Sequence, residues 1–122
     1  MTTLQMSQAV QERLKKHMGD SDQLILDFDD GVGAYSKVGV CSLDVSFRFL
    51  VVNPQNVDAI YDKSITSPLG PVLIKGYADN YLNEAPELNV NKFGLITLKT
   101  AAGIIDTNVE ILDHPEIVET AK

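Results

Sequence analysis

This chain of 122 residues is poor in cysteine, tryptophan and basic residues. It has one cysteine, no tryptophan and ten lysine or arginine residues. Because Cys41 is the one cysteine, the chain cannot form a disulfide within itself. A Cys-x-x-C redox pair and a metal site closed by cysteines of one chain are excluded for the same reason. Seventeen acidic residues give a formal net charge of −7. A duplex nucleic-acid binder needs cations that displace counterions from phosphates, so this charge argues against nucleic acid as a partner.

Long apolar runs are also missing. No segment reaches the roughly 20 apolar residues that cross a bilayer. Residues 1–18 are amphipathic and include Glu12, unlike a secretory signal with an apolar centre. We therefore expect no membrane association and a cytoplasmic location. Length and even composition predict a single domain over residues 1–122 with one ordinary hydrophobic core.

An amphipathic helix is predicted near the N-terminus, where apolar residues recur every four positions. These residues are Met6, Val10, Leu14 and Met18. Ser7 is the expected N-cap, and Gly19 is the expected stop. Lys15, Lys16 and His17 fall in the predicted last turn, where cations interact favourably with the negative end of the helix dipole. A short strand around Leu4 is expected before this helix.

The apolar period changes from 3.6 to 2 after the helix, which predicts β-strands. Residues 23–29 and 42–53 alternate most regularly, and in the first of these Asp27 and Asp29 lie opposite the apolar face, where we expect solvent. Shorter strands are predicted at 57–61, 71–77, 92–99 and 109–112, weaker strand or turn pieces at 81–82 and 88–90, a turn at 64–70 and a bend at Gly103. One helix and six to eight strands predict a mainly β fold, antiparallel or mixed, closed as a compact sandwich or small barrel.

Three carboxylates precede a glycine-rich stretch, and oxygen ligands at this spacing could bind a hard cation. They are Asp27, Asp29 and Asp30. The EF-hand pattern fails, however, because Gly31 and Val32 stand where that pattern requires Asp or Asn and then Gly. We interpret Asp27 and Asp29 as the polar face of a strand and Asp30-Gly31 as a turn.

Other residues resemble parts of sites without completing one. Gly31, Gly33 and Gly39 lack the Gly-Lys-Ser/Thr and the following helix of a phosphate-binding loop, so a hairpin connection is the better interpretation. His17 is interpreted as a helix-end cation, and His114 lies in an acidic tail. With no nucleophile–base pair and no metal triad in the pattern, we do not expect an enzyme, a catalytic residue or a metal site.

Two further groups of residues leave alternatives open. Cys41, at the entrance to a strand, is interpreted as a small core residue, with a reactive or ligating thiolate as the alternative. Tyr35, Tyr77 and Tyr81 could line a ligand site, although aromatic rings at strand ends more often pack with a polar tip in water.

The order of these segments carries a family resemblance. A helix ending at Gly19 is followed by LILDFDD at 24–30, GVGAYS at 31–36, SFRFLVV at 46–52, GPVLI at 70–74, Tyr81-Leu82 and GIIDTNV at 103–109. This order resembles the HesB-like iron–sulfur cluster biosynthesis family, and most closely its short degenerate branch in low-GC Gram-positive bacteria. The similarity covers roughly residues 1–112. It implies a compact, sandwich-like β domain with a helix packed against it.

The resemblance also implies which ligands to look for. A-type carriers of this family hold iron or a cluster through one cysteine near the glycine-rich loop and a C-terminal Cys-Gly-Cys, often across a dimer. This chain has Ala34 and Tyr35 in the loop and no cysteine in residues 103–108. Fe–S clusters usually take about four thiolates, so no ligand carries over and no cofactor is expected.

The resemblance without its ligands predicts an accessory protein of iron–sulfur cluster biosynthesis, which acts by contact with a protein of the assembly machinery. Two alternatives remain open. One is an iron or cluster carrier that uses Cys41 from both chains of a homodimer. The other is a small-ligand or peptide-binding domain that has lost the chemistry of the family.

Overall fold

The computed structural model describes residues 3–19, 21–29 and 46–113. Strands dominate these ranges, with two short helices among them. In chain order the elements are β1 (Gln5–Met6), α1 (Gln8–Lys15), β2 (Gln23–Asp29), β3 (Ser46–Val52), β4 (Lys63–Ile65), β5 (Val72–Ile74), α2 (Asp79–Leu82), β6 (Glu87–Val90), β7 (Ile96–Thr100), β8 (Gly103–Asp106) and β9 (Glu110–Asp113). Short 3₁₀ turns lie at Pro54–Asn56 and Gly76–Ala78. The prediction of a mainly β fold with an N-terminal amphipathic helix is confirmed.

The strands form two mixed sheets. The four-stranded sheet has the order β1-β6-β7-β8, and the five-stranded sheet has the order β4-β5-β2-β3-β9. β2 and β3 pair antiparallel along their whole length, β5 lies parallel to β2 on one side, and β9 lies parallel to β3 on the other. Each sheet has two edge strands among the described residues, so the strands described do not close into a barrel, and the sandwich is the alternative that fits.

Helix α1 follows the sequence prediction closely. The Ser7 hydroxyl accepts a hydrogen bond from the Val10 N–H at 3.3 Å, as expected of an N-cap. Val10 and Leu14 are fully buried. The helix ends at Lys15, earlier than the predicted stop at Gly19, because the Lys16 and His17 amides already close the last turn onto Glu12 and Leu14 carbonyls.

The main hydrophobic core lies between the two sheets and α1. Its residues come from α1, α2 and strands of both sheets, and the side chains of alternating residues in β2 and β3 enter it as the period of 2 predicted. From these two strands they are Leu24, Leu26, Phe28, Phe47, Phe49 and Val51. Two contacts tie the sheets together at their margins: Thr3 bridges to Thr66, and the Asp106 carboxylate accepts from the Phe47 N–H at 2.9 Å.

The opposite face of the five-stranded sheet is buried as well. Ile25, Leu50, Val52 and Tyr61 form a second cluster there, flanked by half-buried apolar residues of the segment that links β3 to β4. The prediction that this face of β2 meets solvent was therefore wrong for Asp27, whose exposed fraction is 0%. The cause is tertiary, because the covering segment follows β3 in the chain and leaves no signal in the pattern of β2.

Several short elements differ from the prediction. Residues 57–61 form turns, with the Tyr61 N–H bonded to the Asp58 carbonyl, and the predicted turn at 64–70 begins as strand β4. Tyr81 and Leu82 belong to α2. β7 begins at Ile96, not at residue 92, and it buries Ile96 and Leu98. In the part of the chain described, neither helix has the length and apolar character needed to span a bilayer.

Candidate functional site

The main polar feature of the described structure is a group of ionisable side chains on the outer face of the five-stranded sheet, called here the charge cluster: Asp27, Arg48, Tyr61 and Lys75. The Asp27 carboxylate lies at its centre. It accepts from Arg48 Nε at 2.9 Å through one oxygen and from the Tyr61 hydroxyl at 2.7 Å through the other. Lys75 Nζ lies 3.4 Å from that second oxygen and donates to the Phe28 carbonyl at 2.8 Å. The two cations and the phenol therefore converge on one carboxylate.

Strand register explains why these residues meet. Asp27 and Arg48 are directly opposed in the antiparallel β2–β3 pair. β5 runs parallel to β2 with Ile25 beside Leu73, so two residues further along each chain Lys75 reaches the level of Asp27. Tyr61 arrives from the covering segment that links β3 to β4. The sheet itself thus aligns three of the four groups, and the covering segment adds the fourth.

The surroundings of the charge cluster fix the protonation of Tyr61. Asp27 and Lys75 have no exposed surface, and Arg48 and Tyr61 are almost fully buried. Burial, and then the neighbouring Asp27 carboxylate, raise the pKa of Tyr61 far above its ordinary value. Tyr61 therefore stays protonated and serves as a hydrogen-bond donor to Asp27 at neutral pH.

This arrangement does not suit Asp27 to bind a metal. Both of its oxygens already accept hydrogen bonds, and two buried cations stand beside it. An incoming metal cation would be repelled by Arg48 and Lys75 unless they moved. Asp27 is thus held by pairing in the interior, whereas the sequence interpretation placed it on a solvent-facing side of the strand.

The donor set also fails to fit a resident iron–sulfur cluster. Within residues 3–19, 21–29 and 46–113, no three His, Cys, Asp or Glu side chains come together in a way that could hold a metal ion. The whole sequence supplies one cysteine, whereas a cluster usually takes about four thiolates. One chain alone therefore lacks the ligands for a cluster held by thiolates.

A second feature is aromatic and lies near the ends of β2 and β3 that lead to residues 30–45. The ring of Phe28 packs against Phe47 at 5.2 Å, Tyr81 at 4.9 Å and Tyr77 at 6.3 Å between centroids. Phe28 and Phe47 are buried, whereas Tyr77 and Tyr81 keep 47% and 45% of their surface exposed. The tyrosines stand in a 3₁₀ turn and in α2, not at strand ends as the sequence suggested, and they pack with their rings on the core.

The remaining predicted residues are only partly placed. His17 Nδ1 lies 3.5 Å from Asp113 Oδ2 of β9, so its contact is with a side chain of the sheet in addition to its helix-end position. Residues 30–45 lie outside the described part of the chain, and with them Asp30, Ala34, Tyr35, Cys41 and the three glycines at 31, 33 and 39; His114 does so too. The backbone of Asp29 pairs with Ser46 at the end of β2.

Three residues of the charge cluster, Arg48, Tyr61 and Lys75, were not proposed from the sequence as site residues. Arg48 and Lys75 each occupy a position that alternation assigns to the same outer face as Asp27. Two cations and a carboxylate on one face of neighbouring strands were the available signal. This signal predicts a cluster only when the order of the strands in the sheet is known, and the sequence did not provide that order.

Comparison with known proteins shows to which family the chain belongs. The model of the family described as iron-sulphur cluster biosynthesis matches residues 2–113. The chain belongs to this family. The HesB-like resemblance is thereby confirmed over nearly the whole chain, and the single cysteine is consistent with the degenerate branch of the iron–sulfur cluster biosynthesis family. No curated protein matches the chain.

Two solved structures share the fold of this iron–sulfur cluster biosynthesis family protein. A candidate Fe-S biosynthesis protein from Lactobacillus salivarius is 33% identical, with a TM-score of 0.79 over 91% of this chain and 97% of that one. A second, from Lactobacillus acidophilus, is 20% identical, with a TM-score of 0.66 over 91% of this chain and 89% of that one, and it supports the fold alone. The first structure is reported to have a novel protein fold.

Proposed function

We propose that this protein is an accessory factor of iron–sulfur cluster biosynthesis in the cytoplasm, which works by contact with a protein of the assembly machinery. It is neither an enzyme nor a classical cluster carrier, and it needs no cofactor of its own, no nucleic acid and no membrane. The observation that carries this proposal is the family match over residues 2–113 in a chain with one cysteine. Membership without the ligand set separates the shared fold from the shared chemistry.

The described side chains support a role in contact over one in chemistry. The charge cluster is closed to solvent and its carboxylate is fully engaged, so it offers no substrate a free group. Such a cluster stabilises one arrangement of β2, β3 and β5 and thereby holds the rest of the surface in place.

The decisive experiment measures cluster content and function in the same pair of proteins, wild type and Cys41→Ser. Both are purified anaerobically and assayed for iron and acid-labile sulfide. In parallel, each is returned to a deletion strain, and the activity of an Fe–S enzyme of that strain is measured. We expect far less than one cluster per chain in both proteins, and equal restoration of the enzyme activity by both.

The alternative is a carrier that uses Cys41 from two chains of a homodimer. It predicts a stoichiometric cluster in the wild type, a dimer that forms with it, and the loss of both cluster and restoration in Cys41→Ser. That result would overturn the proposal. Equal restoration with no cluster in either protein would exclude the carrier.

A small-ligand or peptide site is a second candidate because the rings of Tyr77 and Tyr81 are half exposed and both pack on Phe28. Half-exposed aromatic rings with a polar tip are common in such sites. A thermal-shift screen of metabolites and short peptides tests it, with Tyr81→Ala as the variant that should lose any stabilisation. A screen without a stabilising compound would count against this site.

A further inference from the structure

The basic residues are distributed unequally over this acidic chain. Of its ten basic residues, two are buried in the charge cluster, and Lys63 and Lys99 form surface ion pairs at 2.9 and 4.0 Å. Lys37 and Lys122 lie outside the described residues. Four basic residues remain, and they form no ion pair with any described residue: Arg13, Lys15, Lys16 and Lys92.

All four lie on two elements that touch each other. Lys15 ends α1 and Lys16 is its C-cap, while the Arg13 guanidinium donates to the Gly94 carbonyl in the β6–β7 turn. Lys92 belongs to the same turn. The cations at the end of α1 interact favourably with the helix dipole, but Lys92 gains nothing from it. Unpaired positive charge therefore collects at one junction of a chain whose net charge is −7.

An exposed aromatic ring stands at this junction. Phe93 exposes 74% of its surface, more than any other large apolar residue described, and Lys92 Nζ lies 5.2 Å from its ring centroid. The turn is held firmly: the Asn91 side-chain oxygen accepts from the N–H groups of Phe93 at 2.8 Å and Leu95 at 3.1 Å. Gly94 has φ of 80°, a conformation that glycine adopts without strain. Phe93 is thus presented to solvent on a fixed backbone.

A shallow groove runs beside the turn. Arg13 and Leu95 line one side, and Val109, Glu110 and Ile111 line the other. Its lining is mixed: Leu95 and Ile111 contribute apolar surface, and Arg13 and Glu110 contribute one charge of each sign. The groove can take an apolar side chain next to the cations, which a flat charged surface cannot do.

We propose that the end of α1 and the β6–β7 turn form a docking surface for an acidic protein segment that carries an apolar side chain. The basic surface, Arg13, Lys15, Lys16 and Lys92, pairs with its carboxylates, and Phe93 and the groove bury its apolar side chain. Charge complementarity selects this occupant, since the surrounding chain is acidic and repels any large anionic surface. A membrane or a nucleic acid presents such a surface, whereas a short protein segment meets only the junction.

This inference names the chemistry of the partner and rests on the proposed function only for the role of that partner. The surface itself can be tested without the assembly machinery. The probe is a synthetic peptide rich in Glu with Leu at every third or fourth position, and its match has Lys in place of every Glu. Binding is followed by the amide shifts of the ¹⁵N-labelled full chain.

We expect the acidic peptide to shift the amides of α1 and of residues 91–96, and the Lys peptide to leave them in place. Lys16→Glu/Lys92→Glu should weaken binding by about tenfold or more. Lys63→Glu/Lys99→Glu has the same net charge and should bind as wild type does. Phe93→Ser should weaken binding likewise, while Ile104→Ser, which removes a similarly exposed apolar residue, should not.

Four outcomes would overturn the inference. The first is equal weakening by both charge-reversal pairs, which would mean that only net charge matters. The second is an absence of shifts at the junction at millimolar acidic peptide. The third is binding to anionic phosphatidylglycerol vesicles that depends on Phe93 and Lys92, which would make the occupant a membrane. The fourth is a change of the amide shifts with protein concentration in the absence of peptide, which would make the occupant a second copy of this chain. None of these depends on the cluster and restoration assays.

Discussion

The Asp27 carboxylate and the Arg48 guanidinium meet at 2.9 Å from directly opposed positions of β2 and β3, in a place where neither keeps more than a trace of exposed surface. Lys75 and Tyr61 complete the coordination of the same carboxylate. Taking charges out of water is costly, and this cost is offset only when each charge is well paired. The contact therefore makes the outer face of the sheet sensitive to the loss of any one member.

Removal of the buried ammonium should destabilise the protein strongly. Lys75→Met keeps the apolar stem but leaves Asp27 short of one cation and the Phe28 carbonyl without its donor. We expect the free energy of unfolding to fall by about 3 kcal/mol or more, measured by urea denaturation followed by circular dichroism. Lys99→Met, the same substitution in an exposed pair, should cost less than about 1 kcal/mol. Equal losses in the two variants would contradict this account of the charge cluster.

Tyr61 should make the protein lose stability at alkaline pH. Its pKa is raised in the native state, so above about pH 10 the unfolded chain releases the phenol proton while the native chain keeps it. The contribution is fully present below about pH 10 and then declines by about 1.4 kcal/mol per pH unit as pH rises towards the native pKa. Unfolding free energies of Tyr61→Phe should decline less steeply with pH by that amount.

The control for this pH series is Tyr81→Phe, which retains Tyr61 and should follow the wild-type slope. At neutral pH, Tyr61→Phe should also be less stable than wild type by about 1–2 kcal/mol, since Asp27 loses a hydrogen bond in the interior. If the unfolding free energies of wild type and Tyr61→Phe declined with pH at the same slope, the phenol would titrate alike in the native and the unfolded state.

Asp106 should be important for holding the two sheets together. Its carboxylate accepts from the Phe47 N–H in β3 and from the Asn108 N–H, both at 2.9 Å. Asp106→Ala removes both acceptors, and we expect a loss of about 1–3 kcal/mol in thermal or urea unfolding. Asp106→Asn keeps one carbonyl oxygen and should lose clearly less. Equal losses in the two variants would indicate that charge, not the hydrogen bonds, matters at this position.

The N-cap of α1 should make a small and local contribution to the stability of the protein. Ser7→Ala removes the acceptor for the Val10 N–H, and the expected cost is about 1 kcal/mol of unfolding free energy. Ser7→Asp restores an acceptor and should recover most of it. Hydrogen exchange of the Val10 amide should accelerate in the Ala variant alone; unchanged exchange would mean that the cap does not hold this turn.

Some of the fold could be predicted because its signals are local. The four-residue spacing of Val10 and Leu14 produced α1, and the alternation of β2 and β3 produced both strands and the correct inner face. Short elements were harder to predict from the sequence. β4 and α2 span only three and four residues, too few for a period to be read, and their conformation depends on what they pack against.

The candidate site divides in the same way. The sequence by itself shows that one chain has a single cysteine, fewer than the roughly four thiolates that a cluster usually takes, and the order of its segments identifies the family. Three features were decided only by the tertiary structure: Asp27 lies in the interior, Arg48 and Lys75 meet it there, and Arg13 of α1 contacts the turn that carries Phe93. A period of two assigns residues to the two faces of a strand, but whether a face meets water depends on segments distant in sequence that come to cover it.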